Sequence, residues 1–177
     1  MTTTITITAP ELENLDLSTA QAIIDPLINS PLIQNSPLIQ NSATPDPKIS
    51  FATPDPKISF AIALPREPND PRELSEIPEV RLWFIRLDAQ YPWLPYVLDW
   101  EGGELARYVA MLVPHQFSAS EGIQFNPEAL EIFVMHKVFV LANWMQQHDI
   151  TSRTKLKFMT QMLGYELDDG FFELVGI

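Results

Sequence analysis

The chain has 177 residues, of which 46% are hydrophobic and 10% aromatic, enough to bury a sizeable core in one domain, with or without an irregular arm. It contains no cysteine, which excludes disulfides, thiolate nucleophiles, thiolate zinc sites and self-ligated iron–sulfur clusters. Its 11 Lys and Arg residues stand against 23 Asp and Glu residues, and the resulting charge of −12 disfavours nonspecific binding to nucleic acids and anionic lipids.

Neither a membrane span nor a targeting segment is predicted. No apolar run approaches the roughly 18–20 residues that a bilayer-spanning helix needs. Met1–Pro10 lacks the basic and apolar regions of a signal peptide and the Arg-rich character of a transit peptide. We therefore expect a soluble protein of the cytoplasm.

The two halves of the chain differ in composition. Residues 1–78 contain 12 of the 16 prolines but only two aromatic residues, Phe51 and Phe60. We therefore divide the chain into an N-terminal segment, residues 1–57, with a strand, a short helix and a Pro-rich loop, and a main α+β domain, residues 58–177. The two parts are expected to form one structural domain.

The N-terminal segment contains two tandem duplications. Pro31–Ser36 is repeated as Pro37–Ser42, and Ala43–Phe51 is repeated as Ala52–Phe60. Solenoids need at least three repeats, so these duplications indicate an insertion in a tolerant loop. The second copy runs without a break into the apolar residues that follow, so Ile58–Leu64 is predicted to be a strand.

The remaining N-terminal elements follow from simple patterns. Alternating Thr and Ile at Thr3–Thr8 predict a strand. Ser18 is expected to cap a helix through Ile24, which Pro26 limits. Pro65–Pro78 is predicted to be an extended polar arm, because its prolines exclude a helix over most of its length.

The second half is predicted to be richer in helices. A helix begins at Pro78 and ends before Pro92, with an apolar stripe that includes Trp83. Asn126 is expected to cap a helix that runs to Gln147, apolar on nearly all sides and therefore central and buried. The other predicted elements are a turn at Tyr91–Trp100, strands at Arg107–Val113, Gln116–Ser118 and Ile123–Phe125, and helices at Ser152–Gly164 and Asp168–Leu174. The class is α+β: a small, mostly antiparallel sheet packed with three or four helices.

The sequence offers little for catalysis or metal binding. The three histidines, His115, His136 and His148, form no HExxH motif and no pair at helical i, i+4 spacing, and His136 is expected in the core. No GxSxG motif is present, and six glycines supply no phosphate-binding loop. Adjacent Asp168 and Asp169 are best explained as a helix N-cap.

Two weaker signals keep other functions open. Asp99 and Glu101 lie next to aromatic residues and could form a carboxylate site for a sugar-like ligand. The protein would then be a small-molecule or carbohydrate-binding domain. Arg153, Lys155 and Lys157 follow a helix break in the manner of a helix-turn-helix regulator. The charge of −12 favours instead a basic edge against an acidic neighbour.

The arm and the aromatic segment that follows it form a candidate protein-docking surface. Charges of both signs alternate along the arm, and Trp, Tyr and Arg dominate interface hot spots. The slightly preferred alternative is an arm that wraps on its own domain. The candidate protein-binding residues are Arg72, Glu73, Arg81, Trp93, Tyr96, Asp99 and Trp100.

Three stretches of the second half resemble the chlororespiratory reduction 6 family. They are Asp70–Ser118 (DPRELSEIPEVRLWFIRLDAQYPWLPYVLDWEGGELARYVAMLVPHQFS), Asn126–His136 (NPEALEIFVMH) and Met162–Asp169 (MLGYELDD). The likeness covers residues 58–177 and rests on long matched strings rather than on one short motif.

The resemblance implies a non-enzymatic assembly factor without a cofactor. Members of this family occur in cyanobacteria and plastids, help mature the iron–sulfur subunit NdhI, and so help to build the peripheral arm of the photosynthetic NAD(P)H dehydrogenase-like complex. The resemblance carries over no catalytic or metal-binding residue. Since no transit peptide is predicted, it favours a cyanobacterial, cytoplasmic member.

Overall fold

The computed structural model of the protein describes residues 2–14, 17–28 and 57–176. These residues form seven α-helices and two two-stranded sheets, so the predicted α+β class is confirmed. The elements in chain order are β1 (Thr2–Thr8), α1 (Ala9–Asn14), α2 (Ser18–Ile28), β2 (Lys57–Ala63), α3 (Pro78–Gln90), α4 (Glu104–Leu112), β3 (His115–Ser118), β4 (Gly122–Phe125), α5 (Pro127–Gln147), α6 (Thr154–Met162) and α7 (Asp169–Val175).

The two sheets differ from the single, mostly antiparallel sheet expected from the sequence. β1 and β2 pair in parallel, with Ile5 opposite Phe60 and Ile7 opposite Ile62. A parallel pair needs a long crossover, which the residues between the strands supply. The strand predicted from the second copy of the repeat is confirmed as β2, whereas the first copy and the repeated Pro31–Ser36 unit lie outside the described residues.

Side chains of α4 complete the other edge of β2. Backbone hydrogen bonds join Ile58 to Val97 and Asp99 on this edge, at 3.0 and 2.9 Å. Beyond them, the Phe60 N–H donates to Glu104 Oε2 at 3.0 Å, and Arg107 Nη1 donates to the Phe60 carbonyl at 2.7 Å. The two side chains therefore satisfy the Phe60 backbone as a neighbouring strand would.

The predicted apolar stripe of α3 is confirmed and packs against β2 and α4. Its buried residues include Trp83 and Phe84, whose rings meet edge-to-face at 4.8 Å. The Phe60 ring lies 5.6 Å from Trp83, and the Tyr108 ring lies 6.0 Å from Phe84. These distances suit favourable aromatic pairs, so the core is centred where the sheet meets these two helices.

The strand predicted at Arg107–Val113 is wrong, because this segment belongs to α4. Tyr and Val favour strands, but buried Leu105, Tyr108 and Val109 follow the spacing of a helix. Gly103 precedes the helix with a φ of 79°, a left-handed conformation that glycine adopts without strain.

The predicted end of α2 at Ile24 is wrong, because this helix continues through Pro26 to Ile28. Other predicted elements agree closely with the structure. β3 and β4 form an antiparallel hairpin, with Phe117 opposite Ile123. The Ala129 N–H donates to Asn126 Oδ1 at 3.0 Å, which confirms the predicted N-cap of α5. The Phe171 N–H likewise donates to Asp168 Oδ1 at 2.8 Å at the start of α7.

The prediction that α5 is buried on all sides is not confirmed. One side of the helix, with Val134, Val138 and Leu141, lies in the core. Apolar residues on the opposite side, among them Ile132 and Phe139, are exposed. Among the described residues, no helix is long and apolar enough to cross a membrane.

The edge of β2 provides a test of this fold. Glu104 is only 4% exposed, so Glu104→Leu would leave the Phe60 N–H buried without an acceptor. We expect this variant to lose about 1–3 kcal/mol of unfolding free energy, measured by urea denaturation. The Phe60 amide should also exchange with solvent faster.

Glu104→Gln is the matched control, because its amide oxygen can still accept from Phe60. If Glu104→Leu and Glu104→Gln were equally stable and their Phe60 amides exchanged alike, the side chain would not act as an edge acceptor.

Candidate functional site

The predicted aromatic residues Trp93 and Tyr96 meet in a cluster around Trp144 of α5. Trp93 stacks on Trp144 with ring centroids 6.2 Å apart, and Tyr96 meets the same ring at 5.6 Å. His148 lies 5.1 Å from Trp144, and Lys155 Nζ lies 5.2 Å from the Tyr96 ring. Tyr96 is buried and Trp93 half-buried, so Trp93 is the more accessible of the two.

Trp100 also lies at the surface of this segment. Its indole Nε1 donates to the Pro95 carbonyl at 2.8 Å, while its ring remains half-buried. Pro95 belongs to the 3₁₀ turn Leu94–Tyr96. This hydrogen bond fixes the orientation of Trp100 against the predicted turn.

Asp99 joins the ends of β1 and β2. It accepts hydrogen bonds from the Thr2 hydroxyl and, at 3.0 Å, from the Gly102 N–H, and Lys57 Nζ lies 3.9 Å away. The Thr2 hydrogen bond, with help from Gly102 and Lys57, lowers the pKa of Asp99 below its usual value although burial opposes this. A glycosidase acid needs a raised pKa, so Asp99 does not suit that role. Exposed Glu101 lies 3.7 Å from the same lysine.

The arm is held by its own charged residues. Arg72 donates to Asp70 through Nη2 at 2.7 Å and through its backbone N–H at 3.1 Å. These bonds lower the pKa of Asp70 to about 2. Glu73 begins the 3₁₀ turn Leu74–Glu76, and its N–H donates to Glu76 Oε2 at 2.8 Å. The arm also borders an open groove of about 540 Å³.

Hydrogen bonds of Arg81 and Ser75 tie the arm to the rest of the domain. Arg81 Nη1 donates to the carbonyls of Ser75 and Ala110, at 3.0 and 3.2 Å. Buried Ser75 in turn lies at hydrogen-bond distance from His115 of β3, with 3.2 Å between Oγ and Nε2. The arm is therefore wrapped on its own domain, and its outer surface, which includes Arg72 and Glu73, is exposed.

The predicted site residues thus fall into three groups of contacts. Trp93 and Tyr96 share the Trp144 cluster, Asp99 joins the strand ends, and the predicted residues of the arm form the third group. Trp100 is connected to the first group through the turn that contains Tyr96.

Sequence reasoning missed a buried polar network that joins three helices. Lys137 of α5 is 1% exposed and forms an ion pair with Asp88 of α3. The Tyr108 hydroxyl of α4 donates to the same carboxylate. Burial lowers the pKa of Lys137, and Asp88 offsets this only in part. The signal was present in the sequence, because Lys137 is the only Lys or Arg in the apolar run Ile132–Leu141.

The cations that suggested a helix-turn-helix contact neighbouring residues of the same chain. Lys157 Nζ lies 2.6 Å from Asp169 Oδ1, and Arg153 Nη1 lies 3.9 Å from the same atom. Both cations also lie 5.4 Å from the ring of Phe172. This arrangement matches a basic edge against an acidic neighbour. Among the residues described, no group of His, Asp and Glu is arranged to hold a metal ion.

The buried network predicts a strong effect of Asp88. Asp88→Ala would leave the Lys137 ammonium buried without its carboxylate, and we expect a loss of about 3–5 kcal/mol of unfolding free energy. Replacing all three polar groups, as in Asp88→Leu/Tyr108→Phe/Lys137→Met, should cost much less, because no buried charge is left. Urea denaturation of both variants makes the comparison. If Asp88→Ala lost less than about 1 kcal/mol of unfolding free energy, the ion pair would contribute no more than an exposed one. That result would contradict the role of the network.

A known protein family matches this chain over nearly its whole length. No solved structure matches the chain. A profile of the family described as chlororespiratory reduction 6 matches residues 7–174, which extends the likeness seen at residues 58–177 into β1 and the helices that follow it. The match covers nearly all of the 177 residues, so the protein belongs to the chlororespiratory reduction 6 family.

Proposed function

We propose that this protein is a non-enzymatic assembly factor that binds the iron–sulfur subunit NdhI. It would aid assembly of the peripheral arm of the photosynthetic NAD(P)H dehydrogenase-like complex, in the cytoplasm of a cyanobacterium. The observation that carries the proposal is the family match over residues 7–174, which is consistent with a role in assembly of that complex.

The chemistry of the side chains supports a binding role. Asp99 holds the ends of two strands, Glu104 and Arg107 complete a sheet edge, and Lys137 with Asp88 joins two helices. These charged groups are used to hold the fold. The protein has no thiol with which to bind a cluster itself, so it would bind the apo or newly loaded subunit.

The client-binding surface in this proposal is the arm together with the aromatic segment. Arg72, Glu73, Trp93 and Trp100 have exposed surface and would contact the client. The remaining candidates would position them, because Tyr96 packs under Trp144, Asp99 holds the strand ends and Arg81 fastens the arm. The protein would cover a docking surface of NdhI until a neighbouring subunit displaces it.

Two tryptophans test this placement. Half-buried aromatic residues at the centre of an interface contribute about 2 kcal/mol or more, so Trp93→Ala/Trp100→Ala should weaken binding of purified NdhI about 30-fold or more. Binding is measured by calorimetry, and circular dichroism and the melting temperature establish that the variant is folded. Phe117→Ala, which removes an aromatic side chain exposed on β3, is the matched control and should bind normally. Unchanged affinity in the folded double variant would place the surface elsewhere.

The proposed client itself is tested by affinity capture. The tagged protein is purified from a photosynthetic host, and co-purifying proteins are identified by mass spectrometry. We expect NdhI to be enriched without the complete complex, because the factor acts on an assembly intermediate. Recovery of no NdhI, together with normal levels of the complex in a deletion strain, would contradict the proposal.

A further inference from the structure

The outer side of α5 carries a stripe of apolar residues. Ile132, Met135 and Phe139 are 65, 39 and 52% exposed. Their spacing of three and four residues places them on one side of the helix, opposite the side that contains Lys137. A helix usually buries such a stripe against a neighbour.

The stripe continues onto α7. The Phe139 ring lies 5.9 Å from Phe171, and the Gln146 side-chain amide donates to the Val175 carbonyl, so α7 is fastened beside this part of α5. Leu174, one turn beyond Phe171, is 85% exposed. We call Ile132, Met135, Phe139 and Leu174 the α5–α7 face. Contiguous exposed apolar residues with a polar rim mark interaction sites.

The rim of the α5–α7 face is acidic. Glu128 and Glu131 lie one turn before Ile132 and Met135 on the same side of α5, and Glu173 lies next to Leu174 on α7. All three are exposed, whereas Lys137, the only Lys or Arg of α5, is buried. His136, which was expected in the core, is also exposed on α5, so that prediction is wrong. An acidic rim around an apolar centre complements a partner with the opposite charge.

We propose that the α5–α7 face binds a basic amphipathic helix of a partner protein. Apolar side chains of that helix, at i, i+3 or i+4 and i+7, lie against Ile132, Met135 and Phe139. Its flanking Lys or Arg residues lie near Glu128, Glu131 and Glu173. A second copy of this chain is a poor occupant, because it would bring a like-charged rim and a chain of charge −12 to the same place. This surface is separate from the arm and the aromatic segment, and the inference does not depend on the identity of the client.

Synthetic peptides test the proposal with the full-length protein. One probe is an 18-residue amphipathic helix with Leu on one face and Lys on the other, and its matched partner has Glu in place of every Lys. In calorimetry we expect the Lys peptide to bind at least tenfold more tightly than the Glu peptide, with affinity that falls as salt rises. Equal affinity for the two peptides would overturn the proposal.

Two sets of variants locate the binding. Ile132→Ser/Phe139→Ser should weaken the Lys peptide at least tenfold, whereas Leu82→Ser/Ile85→Ser, which alters residues 56 and 52% exposed on α3, should bind it normally. The variant Glu128→Gln/Glu131→Gln/Glu173→Gln changes only exposed charges. It should bind the Lys peptide more weakly and with less salt dependence. This variant tests the proposal even if the apolar variant fails to fold. Normal, salt-dependent binding by the glutamine variant would overturn the proposal.

Sedimentation tests whether a second copy of the chain occupies the face. A dimer in the wild type but a monomer in Phe139→Ser would assign the face to a second copy and also overturn the proposal.

Discussion

The position of α5 depends on one buried ion pair. Lys137 is sealed from solvent, and a buried ammonium must have a carboxylate beside it. Asp88 supplies that carboxylate from α3, and Tyr108 of α4 donates to it. This requirement fixes which side of α5 faces the core. The opposite side, with Ile132 and Phe139, must then face outward, so a polar contact in the core also determines the apolar surface.

The carboxylates of this acidic chain have a structural use as well. Glu104 accepts the Phe60 N–H at the edge of β2, and Asp99 accepts from Thr2 and Gly102 at the strand ends. A two-stranded sheet is marginal by itself. Side-chain acceptors and the donor Arg107 satisfy backbone groups that a third strand would otherwise pair.

Local patterns predicted the local structure well. The Thr–Ile alternation of β1, the apolar stripe of α3 and the Asn126 cap each depend on residues a few positions apart, and all three are confirmed. The failures are of two kinds: some depend on contacts distant in sequence, and others on residues that lie in a helix against their local preference, as in α4 and at Pro26 of α2. Composition alone did not reveal that β1 and β2 are parallel. The strand preference of Tyr and Val hid the helical spacing of α4, and the exposed side of α5 depends on which helices cover it.

The same limit applies to the candidate site. The sequence indicated the arm and the aromatic segment, but only the structure shows Trp93 on Trp144 and Arg81 fastened to two carbonyls.

The central claim is that the protein recognises its proposed client NdhI through the arm and the aromatic segment. Hydrogen–deuterium exchange of the two purified proteins tests this claim most directly. Binding through this surface predicts slower exchange in the arm and in residues 91–100 when NdhI is present. Exchange that is unchanged by NdhI throughout the chain would contradict it.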